Sequence, residues 1–281
     1  MNNIIIILLC LPLYVANSFS DKYVSAKCGT GYSGFYNWIK FLSGSVLLLP
    51  LFVFDKAERF GLGAILCGFV CGIMFAASKM AILKGYEQTS VTFMTICHSS
   101  GMIVPCLIGA LFWNEPLKVL SMVGILLVVA SVVLLKDANG TKNKYNLCGI
   151  LCGAVVFVGS GLVMVCQKLM GIYFANQSVN AYNFYSFVVA FLVLSFSKGR
   201  GQRVKPILPF ALLSAVSLVI VSVVMTLLSN KVPSAVMFPL FNGLGIILVS
   251  LGSIPVFKEK LTCKKLAGLI LGVLGLCLIN I

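Results

Sequence analysis

The chain has 281 residues, 60% of them hydrophobic and only 10% charged, with 21 Lys+Arg against 7 Asp+Glu. A soluble domain carries roughly 45–50% apolar and 25% charged residues, so no single water-soluble core could hide this much apolar surface. The basic excess resembles a nucleic-acid binder only in bulk. The lysines and arginines fall mainly in short links between apolar runs, the pattern that orients helices in a membrane.

A membrane span needs about 20 apolar residues, so the length suits roughly ten spans with short links. Every backbone amide in hydrocarbon must be paired internally, which makes the spans helices. The apolar runs are continuous and lack the alternation of a barrel strand. The expected fold class is therefore an all-α integral membrane protein. Eleven cysteines do not change that reading. Cys67/Cys71 and Cys148/Cys152 lie one helical turn apart in apolar segments, without the further Cys or His of a zinc site, so they read as small packing residues. No metal and no cofactor is expected.

In chain order the predicted spans cover about 3–20, 32–54, 61–83, 89–113 and 119–135, then 147–170, 179–197, 206–229, 233–257 and 263–279. The first has the length of a signal-peptide core, but no Lys or Arg precedes it, and it reads as a retained helix. Polar links at 55–59, 136–144 and 198–203 separate the runs. Gly68/Gly72, Gly149/Gly153 and Gly268/Gly272 each place two glycines on one helix face, a device for close helix approach.

The second five spans echo the first. Tyr36-Asn37 reappears as Tyr182-Asn183, an offset of 146 (182 − 36), which Lys22/Lys168 and Phe41/Phe187 share. Glu115-x-Leu117 with Gly124 reappears as Glu259-x-Leu261 with Gly268, an offset of 144 (259 − 115) that Ser90/Ser234 and Gly101/Gly245 keep. Two five-span repeats are expected, residues 1–138 and 139–281. An odd number of crossings makes the second enter from the opposite face, so the repeats are inverted.

The unit Glu-x-Leu with Gly seven residues on, straddling spans four and five of each repeat, resembles the EamA-type transporters of the drug/metabolite transporter superfamily. The resemblance covers nearly the whole chain. It implies a central cavity lined by spans one to four and six to nine, with spans five and ten packed peripherally. Span one departs from the pattern, reading Pro12-Leu13-Tyr14-Val15-Ala16-Asn17 where the family carries a Trp-Gly pair. Basic residues are concentrated in links after odd-numbered spans, which places both termini outside. The resemblance implies both inside.

Candidate site residues follow from polarity at depth. His98, the only histidine, lies mid-span four, and 144 residues on Asn242 lies mid-span nine. Polar groups at mirror positions near the midplane are what a substrate site at the repeat interface requires. The bland alternative is an interhelical hydrogen bond. Gly101 and Pro105 near His98, and Pro239, Gly243 and Gly245 near Asn242, suit broken or tightly packed helix. Lys40, with Tyr36, Asn37, Tyr182 and Asn183, is read as facing the cavity; snorkelling and an aromatic belt are the competing readings for that stretch. Asn17 and Gln167 are minor candidates. Lys22, Lys79 and Lys168 read as interfacial, and Glu115 and Glu259 as caps on the helices that follow them.

No Asp or Glu is expected near the middle of any span, so a lipophilic cation would meet no counter-charge. Lys40, Lys79 and His98 favour a carboxylate, phosphate or zwitterion. The expected activity is secondary transport, as exporter or exchanger, of a small polar, anionic or zwitterionic metabolite by alternating access. A lipid-linked carrier or flippase and a non-transporting scaffold compete with it, and an enzyme is not expected. The expected partners are a small-molecule substrate and the lipid bilayer, with a homodimer open and no nucleic acid. The expected place is the cell membrane, multi-pass, which in a bacterium is the inner membrane.

Overall fold

A computed structural model describes residues 2–28, 33–88, 91–115, 118–134, 147–196, 207–257 and 263–279. The links 136–144 and 198–203, and the second Glu-x-Leu unit at Glu259, lie outside these residues. Twelve helices occupy the described residues: α1 Asn2–Leu9, α2 Leu11–Cys28, α3 Ser33–Val53, α4 Leu62–Gln88, α5 Val91–Ser100, α6 Ile103–Phe112, α7 Val119–Leu134, α8 Leu147–Tyr173, α9 Val179–Ser195, α10 Leu208–Leu228, α11 Ser234–Phe257 and α12 Cys263–Ile279. Each of the ten predicted spans is helical. Among the described residues, five helical segments are long and apolar enough to cross a membrane: Asn3–Asp21, Gly34–Val53, Leu62–Ile82, Leu147–Tyr173 and Leu208–Leu228. α4 and α8 each have 27 residues, about 40 Å of helix against a hydrocarbon core of about 30 Å, so they tilt or project.

Among the described residues, twelve helices stand where ten spans were predicted, because two of the predicted segments are interrupted by proline. Pro12 has no N–H for the Leu8 carbonyl, and α1 gives way to α2 at Cys10. Pro105 likewise cannot donate to the Gly101 carbonyl, which instead accepts the Val104 N–H at 3.1 Å. Gly101 N–H reaches back to His98 O at 3.3 Å and Met102 N–H to Ser99 O at 3.4 Å, a tightened turn that divides α5 from α6. The first span also runs further than predicted. α2 continues to Cys28, so Asp21 lies inside a helix and not in the link after it.

The chain forms two compact units that interleave its halves. The first unit comprises 1–83 and 166–231, and the second 84–165 and 232–281, with boundaries inside α4 and α8. In the first unit α3 packs on α9, and α10 packs on α2 and α3. Its core gathers Phe41, Leu48, Ala76, Phe187, Ala190, Leu194 and Val219. The repeat-related pair Phe41 and Phe187 meet directly, with ring centroids 5.3 Å apart. Gly68 and Gly72 let α4 approach the backbone of α9. A Cβ on Gly72 would stand 2.6 Å from the Ser186 carbonyl oxygen, and one on Gly68 2.9 Å from that of Tyr182.

In the second unit α7 lies along α12, and α11 packs on α6, α7 and α12. The contact between α12 and α7 brings Gly275 against the Gly124 carbonyl, where a Cβ would be 2.7 Å away. Gly101 at the α5–α6 break sits against Ser160 and Gly161 of α8, where a Cβ would meet the Gly161 nitrogen at 3.0 Å.

Candidate functional site

Three helices of the first unit converge on one carboxylate. On α3, Tyr36 and Lys40 are one turn apart and share a face. On α2, Asn17 and Asp21 stand in the same relation. Asp21 Oδ1 accepts from Lys40 Nζ at 2.8 Å and from the Tyr36 hydroxyl at 2.7 Å. From α10, the Ser214 hydroxyl lies 3.5 Å from the same oxygen and donates to Asn17 Oδ1. The Lys40 ammonium stands 5.1 Å from the Tyr36 ring centroid, within cation–π range. Lys79 of α4 lies within electrostatic reach of both Asp21 and Lys40.

Of the readings weighed for Lys40, snorkelling is set aside, for its side chain is 0% exposed and ion-paired. Its counter-charge is Asp21, which lies at the end of the first apolar run and not near the middle of a span. The group still carries a net positive charge, since Lys40 and Lys79 (+2) outweigh Asp21 (−1). Burying an unpaired ammonium in hydrocarbon is costly, and the pairing explains how α3 tolerates it.

A second polar seam follows α10. Asn183 Nδ2 donates to the Val179 carbonyl at 2.9 Å, and its Oδ1 accepts from the Ser222 hydroxyl at 2.6 Å. Gln167 Nε2 of α8 reaches the Ser222 oxygen at 3.4 Å, and Ser229 donates to the Gln167 carbonyl at 3.0 Å. Tyr182 is fully buried; its hydroxyl faces the Cys71 thiol and, among the described residues, has no oxygen or nitrogen partner. Asn37 is buried beside Tyr36 on α3. Lys168, expected at the interface, is 2% exposed and so lies within the bundle.

The other two candidates sit in the second unit. His98 closes α5, where its carbonyl accepts from Ser160 Oγ at 3.1 Å. Asn242 lies on α11, which runs unbroken past Pro239, and its Nδ2 bonds the Phe238 carbonyl at 3.0 Å. Of the two outcomes expected near these residues, broken or tightly packed helix, the break is present at His98, while α11 is continuous at Asn242. Val249 occupies the position 144 residues beyond Pro105, so the second repeat lacks the proline that interrupts span four.

Glu115 caps a helix distant from it in sequence. Its Oε2 accepts the Ser234 N–H at 2.7 Å, so it caps the start of α11. Asn114, at φ 48°, turns the chain out of α6 toward that contact. Outside the spans, Asp55 ties the α3–α4 link to the start of α9. Its carboxylate accepts from Ser178 Oγ at 2.6 Å, Asn180 Nδ2 at 2.7 Å and the Ala57 N–H at 3.0 Å. Partial burial pushes this carboxyl up, but the hydrogen bonds from Ser178, Ala57, Asn180 and Lys56 outweigh it and hold Asp55 below its ordinary value.

Asp21 was absent from the sequence-derived set because Asp21-Lys22 reads as the polar end of a span. Its signal was indirect. Lys40 two turns into an apolar helix demands a carboxylate, and few acidic residues are available to supply one.

The sequence profile of the EamA-like transporter family matches residues 4–136 and 147–281. The chain belongs to the EamA-like transporter family. It is a helical membrane protein accordingly, and the two matched stretches run close to the halves that the internal repeat marks out. An uncharacterized transporter, YxxF of Bacillus subtilis (strain 168), is 25% identical over 154 residues, 55% of this chain and 45% of that protein. The match thus spans about half the length of that curated relative. One solved crystal structure is similar over 99% of this EamA-like chain and 96% of its own, with a TM-score of 0.80 at 12% identity, a likeness that shows the fold.

Proposed function

We propose that this EamA-like chain is a secondary transporter, an exporter or exchanger, of a small polar metabolite bearing a carboxylate or phosphate, zwitterions included. It works by alternating access between two inverted five-helix repeats, 1–138 and 139–281, in a cell membrane. Substrate contacts come from Lys40 and Tyr36 first, then from Asn37, Tyr182, Asn183, His98 and Asn242. The observation that carries this reading is the charged cluster at Lys40. Ionisable groups are kept at depth in a bilayer protein at a cost, and the usual return is a substrate or ion pathway. Its net positive charge supports an anionic substrate group. Asn183 and Asn242 rank lower because each spends its amide on its own helix.

Purified protein in proteoliposomes loaded with a labelled anionic metabolite pool tests the proposal. Efflux that falls at least tenfold in Lys40→Ala and in His98→Ala supports it. Equal transport of cations by the wild type and both variants ends it.

A further inference from the structure

The exposures of the two charges at the Lys40 cluster are unequal. Lys40 is 0% exposed, whereas the Asp21 side chain is 35% exposed. The carboxylate is therefore the open side of the pair and the ammonium the closed side. An anion approaching from the open side meets Asp21 before it meets Lys40. The seat that Asp21 fills offers a carboxylate oxygen one ammonium at 2.8 Å and one phenol at 2.7 Å, with a second lysine within electrostatic reach; the Ser214 hydroxyl, 3.5 Å away, gives its proton to Asn17. These are the donors that a free carboxylate would need, and charge-assisted bonds of this type are the strong ones.

We propose that Asp21 is a built-in occupant of an anion seat, a stand-in for the ligand's own carboxylate, which must displace it to reach Lys40. The idea rests on the transport reading above and deepens it. The resting bundle keeps its buried lysine neutralised without substrate, so it never exposes an unpaired ammonium to the lipid interior. Ligand entry exchanges one carboxylate for another. Affinity is then set by competition, and a weak apparent affinity is the expected cost of that exchange. Asp21 released from Lys40 stays within reach of Lys79, which gives the displaced charge a second partner.

Trifluoroacetate is a suitable probe, read by fluorine NMR on protein in nanodiscs at fixed pH and chloride. Asp21→Asn should bind it at least tenfold more tightly than wild type. Asp21→Asn/Lys40→Met should bind no better than wild type, and Lys79→Met added to Asp21→Asn should weaken binding several-fold. A merely structural ion pair behaves differently, because its removal opens no seat to a ligand and anion binding does not rise. Asp21→Asn binding no more tightly than wild type overturns the proposal, as does a double variant that binds as well as Asp21→Asn.

Wild-type protein supplies a measurement that depends on no variant folding. Saturating trifluoroacetate should shift an aspartate carboxylate band in difference infrared spectra, and an unshifted band overturns the proposal. Proteoliposome efflux separates the two claims. Tighter binding without transport of any carboxylate or phosphate leaves the seat standing and ends the transport reading. Carboxylate transport with unchanged affinity in Asp21→Asn does the reverse.

Discussion

The two units use polar groups differently. In the first, side chains bond to side chains across helices: Lys40 and Tyr36 to Asp21, Ser222 to Asn183, Gln167 to Ser222 and Trp38 to Ser195. In the second, the described bonds run between a side chain and a backbone group: Ser160 to the His98 carbonyl, Asn242 to Phe238, and the Ser234 N–H to Glu115. Close glycine contacts, at Gly101 on α8 and Gly275 on α7, do the remaining joining. A side chain bonded to backbone fixes where a helix lies. A side chain bonded to another side chain can exchange that partner for a ligand. The contrast makes the first unit the place to test for exchange of a side-chain partner for a ligand.

The largest break in that contrast comes at Lys40. Lys40→Leu should cost about 3 kcal/mol, the low end for breaking a buried pair, because the partly exposed Asp21 carboxylate loses its paired ammonium and keeps only Lys79 within reach. Asp21→Leu/Lys40→Leu should recover most of it while transport stays lost. Unfolding in mixed micelles measures both. A double variant that transports normally would make the pair mere scaffolding.

Gly101→Val comes next. Its branched side chain would press on Ser160 and the Gly161 backbone, with a loss of about 1–3 kcal/mol. An unchanged melting temperature would show that close approach does not hold the second unit together. Glu115→Ala should cost about 1 kcal/mol through the lost cap on α11, and Glu115→Gln should restore most of that. Hydrogen exchange at the first turn of α11 reads this directly.

Asp55 gives the smallest effect, below about 1 kcal/mol for a partly exposed group. Its folded-state value lies below the ordinary 3.8, so its contribution is present above that pH and disappears as the pH falls through the folded value. Wild type and Asp55→Asn should therefore differ by a constant margin between about pH 7 and 5 and converge below about pH 4. A margin that widens on acidification would reverse the assigned role.

The residues that the internal repeat singled out differ in how well they could be placed. Phe41 and Phe187 share an offset and touch. Tyr36 and Lys40 were legible as buried polar groups on one face of span two. Their partner was not, because Asp21 lies at a point where hydropathy alone ends the span. Glu115 was legible as a cap from its position before a helix. That it also reaches the start of α11 was not legible, since Ser234 is 119 residues away. Lys168 read as interfacial because it closes an apolar run, yet the neighbouring helices bury it.

Apolar content and run length were enough to set the class: helices in a lipid solvent. Local chemistry was also readable, since Pro105 interrupts its helix wherever that helix lies. Partnership was not. Asp21 and Lys40 are 19 residues apart and Glu115 and Ser234 are 119 apart, and no periodicity encodes which charge will meet which. Only the packing of α2, α3 and α10 brings the pair together. The demand that a buried ammonium be neutralised says that a partner must exist, while the fold alone chooses it.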